Sequence, residues 1–394
     1  MIKTSGLAAL KHIRVIDLTR VRAGPVCVRH LADFGADVIK VENVSDESYA
    51  GPREGPDFQN LHRNKRSMTL NLKSAQGKEI FEELIKKADV VVENYRPDVK
   101  FRLGIDYESM KKINPKIVYA SISGFGQDGP YVNRPGFDQI TQGMSGLMSV
   151  TGKLGDGPMR VGSAVTDVTA GLLAAMGILT ALVEREQSGE GQWVGSNLLQ
   201  AGLTLLDFQA ARYTMKGEVA EQVGNDHPTF MPTSAYATAD GFMNVAATGM
   251  GVWEKFAAAL NRTDLLNDDE FQKAKGRSDG RERLNREISK SLITQTTAYW
   301  VDYLLEHGVP CGPIYTMDQV FDDPQVQHLG ATVKVNHPSL GEITLLNQGI
   351  ELSRTPAQMK TSSPLKGQHT DEILSELGFT QKAIDDFRKE QAIE

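Results

Sequence analysis

Across the first half of the chain, short β-branched runs alternate with helix-length segments, and no other feature constrains the fold as much. Ile13 to Leu18 (IRVIDL) reads as a strand, a helix follows Gly24-Pro25, and Asp37 to Glu42 (DVIKVE) reads as a second strand, completing a βαβ unit. Met68 to Leu72, Asp89 to Glu93 and Ile117 to Ile122 read as further strands, with an amphipathic helix over Ala75 to Lys87 and a sixth strand in WVGSNL. Strands that are apolar at nearly every position must be covered on both faces, so the pattern predicts an α/β fold with a mostly parallel sheet. Ligands of such sheets sit beyond the carboxyl ends of the strands. Those ends carry TRVRAGP, VENV, NLK, ENYRP and SGFGQDG.

Beyond this the pattern changes. Leu198 to Met215 reads as one helix, Ser234 to Thr238 and Phe242 to Ala247 flank the hairpin signal Asp240-Gly241, and a helix is expected over Val252 to Leu260. An antiparallel piece followed by short helices implies a second, smaller α+β domain. NHPSLGEITLL reads as a last hairpin before polar, amphipathic closing helices.

The stretch Arg160 to Leu182 (RVGSAVTDVTAGLLAAMGILTAL) is a long apolar helix with one carboxylate, Asp167, at its mouth. Ala170, Ala174, Gly177 and Ala181 fall on one face, where another backbone can come close; Leu172, Met176, Leu179 and Val183 fall on another, suited to filling a core. With both faces apolar, the helix is expected to be buried between two layers. Asp167 in or before the first turn would be held anionic by the helix dipole. Asp is also a preferred N-cap, and position alone does not separate capping from chemistry.

The chain has 394 residues, 40% hydrophobic and 24% charged, with a formal net charge of -7. Such a balance gives no general attraction to nucleic acid or anionic membranes, so an anionic ligand needs a local basic cluster. Cys27 and Cys311 are far apart and not in a metal-like spacing, which suits the cytoplasm and argues against a disulfide framework. No leader is read in MIKTSGLAALKHIRV, and no membrane span is expected, since the most apolar run is broken by Gly and Thr. Gly124 to Gly129 spells GxGxxG after a strand, but Pro130, Asn133 and Pro135 block the helix that a dinucleotide fingerprint requires. Gly143 to Leu147 misses the last glycine of a hydrolase elbow, and no HExxH or CxxC is present, so no metal site is assigned. The run His62-Arg63-Asn64-Lys65-Arg66, with Lys73, Arg96, Lys100 and Arg102, gathers cations near the strand ends and points to a polyphosphate ligand.

VIDLTRVRAGP, FGADVIKVE, NKRSMTLNLK, ADVVVENYRP, SISGFGQDGP, GSAVTDVTAGLLAAMGILTAL, GVPCGP, HPSLG and GQHTDEILSELG, in this order, resemble the class III coenzyme A transferases, a family that includes formyl-CoA transferase and carnitine CoA-transferase. The resemblance implies that Asp167 is a covalent nucleophile and that coenzyme A lies over Val21, Arg22, Leu70, Lys73, Asn94, Tyr95, Arg96 and Arg102. It implies a coenzyme A thioester as substrate with no tightly bound cofactor, acyl-CoA and carboxylic acids as the partners in reaction, and a homodimer of interlocked subunits. It further implies a Rossmann-like large domain with a mostly parallel sheet, built from both chain ends, residues 1–205 and 321–394, around a smaller domain at 220–320. The chain departs from formyl-CoA transferase at Arg22, where that enzyme has glutamine, and at Asn43. A related α-methylacyl-CoA racemase would need histidine where Phe137 stands in Gly136-Phe137-Asp138, and a non-catalytic acyl-CoA-binding protein would not need Asp167. Arg22, His227 and Thr229 are candidates for reading a second carboxylate, which leans toward dicarboxylic substrates.

Overall fold

The computed structural model of the protein describes residues 8–45 and 51–394; residues 1–7, on which the absence of a leader partly rests, lie outside these. In chain order the first elements are β1 (Arg14–Asp17), α1 (Ala23–Asp33), β2 (Asp37–Glu42), α2 (Pro56–His62), β3 (Lys65–Thr69), α3 (Ala75–Lys86) and β4 (Val90–Glu93). They continue as α4 (Pro97–Leu103), α5 (Tyr107–Ile113), β5 (Val118–Ser123), α6 (Asp138–Met144), the short α7 (Leu147–Val150), α8 (Val165–Ser188), β6 (Trp193–Asn197) and α9 (Leu198–Leu206). The chain divides into two compact units.

The larger unit comprises residues 1–147, 160–211 and 328–394. Its sheet has six strands in the order β3-β2-β1-β4-β5-β6, every pair parallel, which is the order of a Rossmann-type sheet. The alternation along each strand sorts side chains into two cores. Val15, Val38, Val90, Val92, Val118 and Ala120 pack with α1 and α8, whereas Ile16, Ile39, Val91 and Tyr119 pack on the opposite face with α3 and α5. This unit takes in both parts of the chain, although all six strands of its sheet come from residues 14–197. The C-terminal segment instead supplies cover, because its apolar residues recur at helical spacing: Ile373, Leu374, Ile384 and Phe387 complete the second core. Arg66 of β3, itself held by Asp37 of β2, ties that segment down through Glu372 at 2.8 Å and Glu376 at 2.7 Å.

The smaller unit, residues 148–159 and 212–327, holds a three-stranded antiparallel sheet of β7 (Thr233–Ala237), β8 (Phe242–Ala246) and β9 (Cys311–Pro313). Trp253, Phe256, Phe271, Leu284, Ile288 and Trp300 form its core. The segment expected as one helix from Leu198 to Met215 breaks at Asp207, whose φ of 43° is left-handed, so a second helix begins at Phe208. Back in the larger unit, the hairpin in NHPSLGEITLL pairs Thr332–His337 with Gly341–Leu346, and buried His337 accepts the Ser339 and Leu340 amides through Nδ1 to close the turn.

α8 departs from expectation on one side. Its small face is buried, with Ala170, Ala174 and Ala181 packed in the core, but Leu172, Met176, Leu179 and Val183 are exposed in the chain. The small face is the one that admits a neighbour: a Cβ on Gly171 would lie 2.5 Å from the Ala23 carbonyl of α1, so the helices touch backbone to backbone. By length and composition Val165–Ser188 could cross a bilayer, yet this buried face places it in the core of the unit.

Candidate active site

The nine residues to which the resemblance gives a role in catalysis or coenzyme A binding, Val21, Arg22, Leu70, Lys73, Asn94, Tyr95, Arg96, Arg102 and Asp167, line one cavity of about 770 Å³. All five strand-end loops contribute to it. The site therefore occupies the crevice expected of a parallel sheet, at the carboxyl ends of β1 and β4 where the strand order reverses. Two devices shape this edge. Asn94 accepts the Arg20 amide at 2.9 Å and donates to the Arg20 carbonyl at 2.7 Å, fixing the loop after β1 to the loop after β4. Val21 then takes a φ of 64°, a strained conformation for a β-branched residue, directly before Arg22 and the start of α1.

The charge of the cavity is one-sided. Arg20, Arg22, Lys73, Arg96, Arg102 and Arg134 line it, and Asp167 is its only carboxylate among the described residues. Arg20 entered the expectation only as part of the loop TRVRAGP, and Arg134 lay outside it. Arg134 sits beside the rejected GxGxxG, and its stacking at 3.7 Å on Tyr131 could not be read from spacing. The glycine motif has a different cause here: a Cβ on Gly124 would meet the Gly136 Cα at 2.5 Å, so two backbone segments cross at this point, and no helix starts before Asp138.

The basic run 62–66 does not join the cavity. Arg63 grips Asp33 with Nε at 3.0 Å and Nη2 at 2.7 Å, and Lys65 meets Asp17 at 2.8 Å, all four side chains buried. Lys100 is likewise buried, bonded to Glu93, Ser121 and Gln127. Burying a cation demands a carboxylate or hydrogen-bond partner, and these cations have theirs within the fold. His227 and Thr229 belong to the smaller unit, where His227 Nδ1 accepts the Thr229 and Phe230 amides.

Asp167 is the third residue of α8 and caps nothing: the residue at the N-cap is Ala164, without a side-chain bond. Asp138 of α6 takes the capping place instead, accepting the Thr166 amide at 3.0 Å and the Thr166 hydroxyl at 2.9 Å. The expected anionic bias from the helix dipole is outweighed. Burial pushes the Asp167 carboxyl up to about 6 and the charge of Asp138 adds to this, while the Arg22 guanidinium pulls the other way. Arg22 also bonds Asp57 at 2.9 Å.

Because the folded pKa of Asp167 lies above the ordinary value of 3.8, keeping this carboxylate ionised costs the fold stability at neutral pH. The cost is absent below the unfolded value and complete above the folded one. Asp167→Asn should thus stabilise the protein by about 1 to 2 kcal/mol at pH 7, after allowing for screening by water in the cavity. Urea unfolding of both proteins should show this gain fade toward zero as pH falls from about 6 to 3.8. A variant less stable than the wild type at pH 7 would contradict the burial of this charge.

The chain matches the description "CoA-transferase family III" over residues 10–370. It is 36% identical to the succinyl-CoA:glutarate CoA-transferase of Mus musculus, over 95% of this chain and 88% of that protein. It is also 36% identical to the succinyl-CoA:mesaconate CoA-transferase of Haloarcula hispanica, over 94% and 97% respectively. The structure of a CAIB/BAIF family protein from Brucella suis superposes with a TM-score of 0.85 at 32% identity, covering 94% of this chain and 99% of that one. The match of nearly the whole chain to one family, in sequence and in fold, makes this protein a member of CoA-transferase family III.

Proposed function

We propose that the protein moves coenzyme A between dicarboxylic acids by covalent catalysis at Asp167. One observation carries this reading: a single, half-buried carboxylate shares a cavity with six cations. The cations suit the phosphates of coenzyme A, with Lys73, Arg96 and Arg102 on the loops after β3 and β4 and on α4. Val21, Leu70, Asn94 and Tyr95 would frame the rest of that ligand. Arg22, beside the nucleophile, would pair with the far carboxylate of the acyl group, in keeping with the succinyl, glutarate and mesaconate named for the relatives. Phe137 lines the cavity where a racemase needs a proton-exchanging histidine, which favours transfer over epimerisation.

In the proposed cycle, a carboxylate oxygen of Asp167 attacks the thioester carbonyl, the C–S bond breaks, and a mixed anhydride and CoA thiolate result. The thiolate attacks the aspartyl carbonyl of the anhydride, expelling the donor acid and leaving an aspartyl-CoA thioester. The acceptor carboxylate displaces the thiolate from that carbonyl, forming a second anhydride. Thiolate attack on the acceptor's acyl carbon then releases the new thioester and the Asp167 carboxylate. No proton or electron is consumed overall, so no tightly bound cofactor enters the scheme. A raised pKa makes Asp167 more basic than an ordinary carboxylate, hence a better nucleophile, while still ionised at neutral pH.

Two further readings accompany this one. The exposed stripe Leu172, Met176, Leu179 and Val183 on α8 is too apolar to be left in water, which supports a homodimer of interlocked subunits. The two cysteines are free thiols, which fits the cytoplasm.

Asp167→Asn should abolish transfer from succinyl-CoA while leaving CoA binding intact, and hydroxylamine added during wild-type turnover should mark the Asp167 peptide in a mass spectrum. A mark on another peptide, or an active Asn variant, would remove the nucleophile. Arg102→Ala and Lys73→Ala should each weaken CoA binding by about 1 to 3 kcal/mol in calorimetry; wild-type affinity in both would take the phosphates elsewhere. Sedimentation of the dilute protein should give the mass of a dimer, and a folded monomer would end the dimer reading.

A further inference from the structure

We infer that Asp138 is a positioning residue for the transfer: through α6 it holds the first turn of α8, and with it the Asp167 carboxylate, in the geometry of attack. The inference rests on Asp167 being the nucleophile. Its basis is a buried polar face on α6 whose bonds reach beyond that helix. Asp138, Thr141 and Gln142 of α6 are each at most 7% exposed, and all three turn toward the start of α8. Asp138 Oδ1 accepts the amide and the hydroxyl of Thr166, the residue immediately before Asp167. Thr141 Oγ1 meets Thr166 Oγ1 at 2.8 Å. Asp138 Oδ2 accepts Gln142 Nε2 at 2.8 Å, and Gln142 in turn donates to the Ser163 carbonyl at 3.1 Å and accepts the Val161 amide at 2.9 Å. One carboxylate thus fixes both the first turn of α8 and the loop that enters it.

A cap supplied from outside the helix leaves the helix's own acidic residue unpaired. Had Asp167 served as the cap, its oxygens would be spent on backbone amides and withdrawn from the cavity. Among the described residues Asp167 accepts no hydrogen bond, while Asp138 meets donors with both oxygens, including Arg160 at 3.4 Å. Asp138 also sets a second negative charge near the first. The other charged group facing Asp167 is Arg22, at the start of α1; α9 and β6, which also pack against α8, carry no charged side chain. Taking away the Asp138 charge leaves Arg22 unopposed and makes Asp167 a weaker base.

The test reads the rate at which Asp167 is labelled by hydroxylamine in the presence of succinyl-CoA, across pH. In the wild type a label on a peptide other than that of Asp167 overturns the nucleophile reading itself. With the label at Asp167, Asp138→Ala should slow labelling about 100-fold while the KM for succinyl-CoA stays within about twofold. Asp138→Asn keeps an oxygen for Thr166 and loses the charge, so its labelling should be slowed less and its acid limb should move to lower pH. Should the Ala variant not fold, the Asn variant and Thr166→Val decide, the latter slowing labelling with the acid limb in place. Wild-type rates and acid limbs in the folded variants overturn the inference and leave the nucleophile standing. Loss of succinyl-CoA binding in step with labelling overturns it too, since it makes Asp138 part of the general scaffold.

Discussion

The contact on which the site depends is the crossing of α1 and α8, where Gly171 lies against the Ala23 carbonyl. A side chain of any size at 171 would hold the helices apart. Ala23 opens α1 directly after Arg22, and Asp167 lies one turn before Gly171, so this approach sets a cation and a carboxylate from distant parts of the chain on one cavity wall. Gly24 serves the same end, since a Cβ there would meet the Thr19 side chain at 2.4 Å.

Electrostatically, the site is a contest among burial, dipole and neighbours. The start of a helix favours a carboxylate anion, by about 0.3 to 1 kcal/mol at an exposed position. Burial and the nearby Asp138 outweigh that contribution and leave Asp167 a carboxylate of raised basicity. The cations Lys73, Arg96 and Arg102 stand on other elements, and Arg22 is the cation that pulls against this rise.

Much of this was legible in the residues, for identifiable reasons. Strands apolar at successive positions declare a sheet covered on both faces, and β1, β2, β4 and β5 lie where such runs occur. Strand ends declare loops, and the cavity is built from those loops. What periodicity could not tell is which apolar face of α8 turns inward, because that depends on what the backbone of α1 can reach. Nor could it separate the cations that meet ligand from those that meet carboxylates. Arg63 and Lys65 are paired with Asp33 and Asp17, far away in sequence, and only the folded sheet brings them together. Asp138 was missed for the same reason: its cap on α8 joins residues whose separation in sequence, 28 positions, fits no local capping pattern.

The two populations of cations differ in how they meet the surrounding medium. Arg102 carries a side chain 69% exposed, whereas Arg63 and Lys65 lie at 1% and 0% beside their partners. At physiological ionic strength mobile ions screen exposed charges beyond about 8 Å, and they scarcely reach a buried pair. A grip of Arg102 on an anionic ligand would therefore vary with the salt around the protein, while the buried pairs Arg63–Asp33 and Lys65–Asp17 do not. One chain holds both a charge that answers to the solution and charges that are sealed from it.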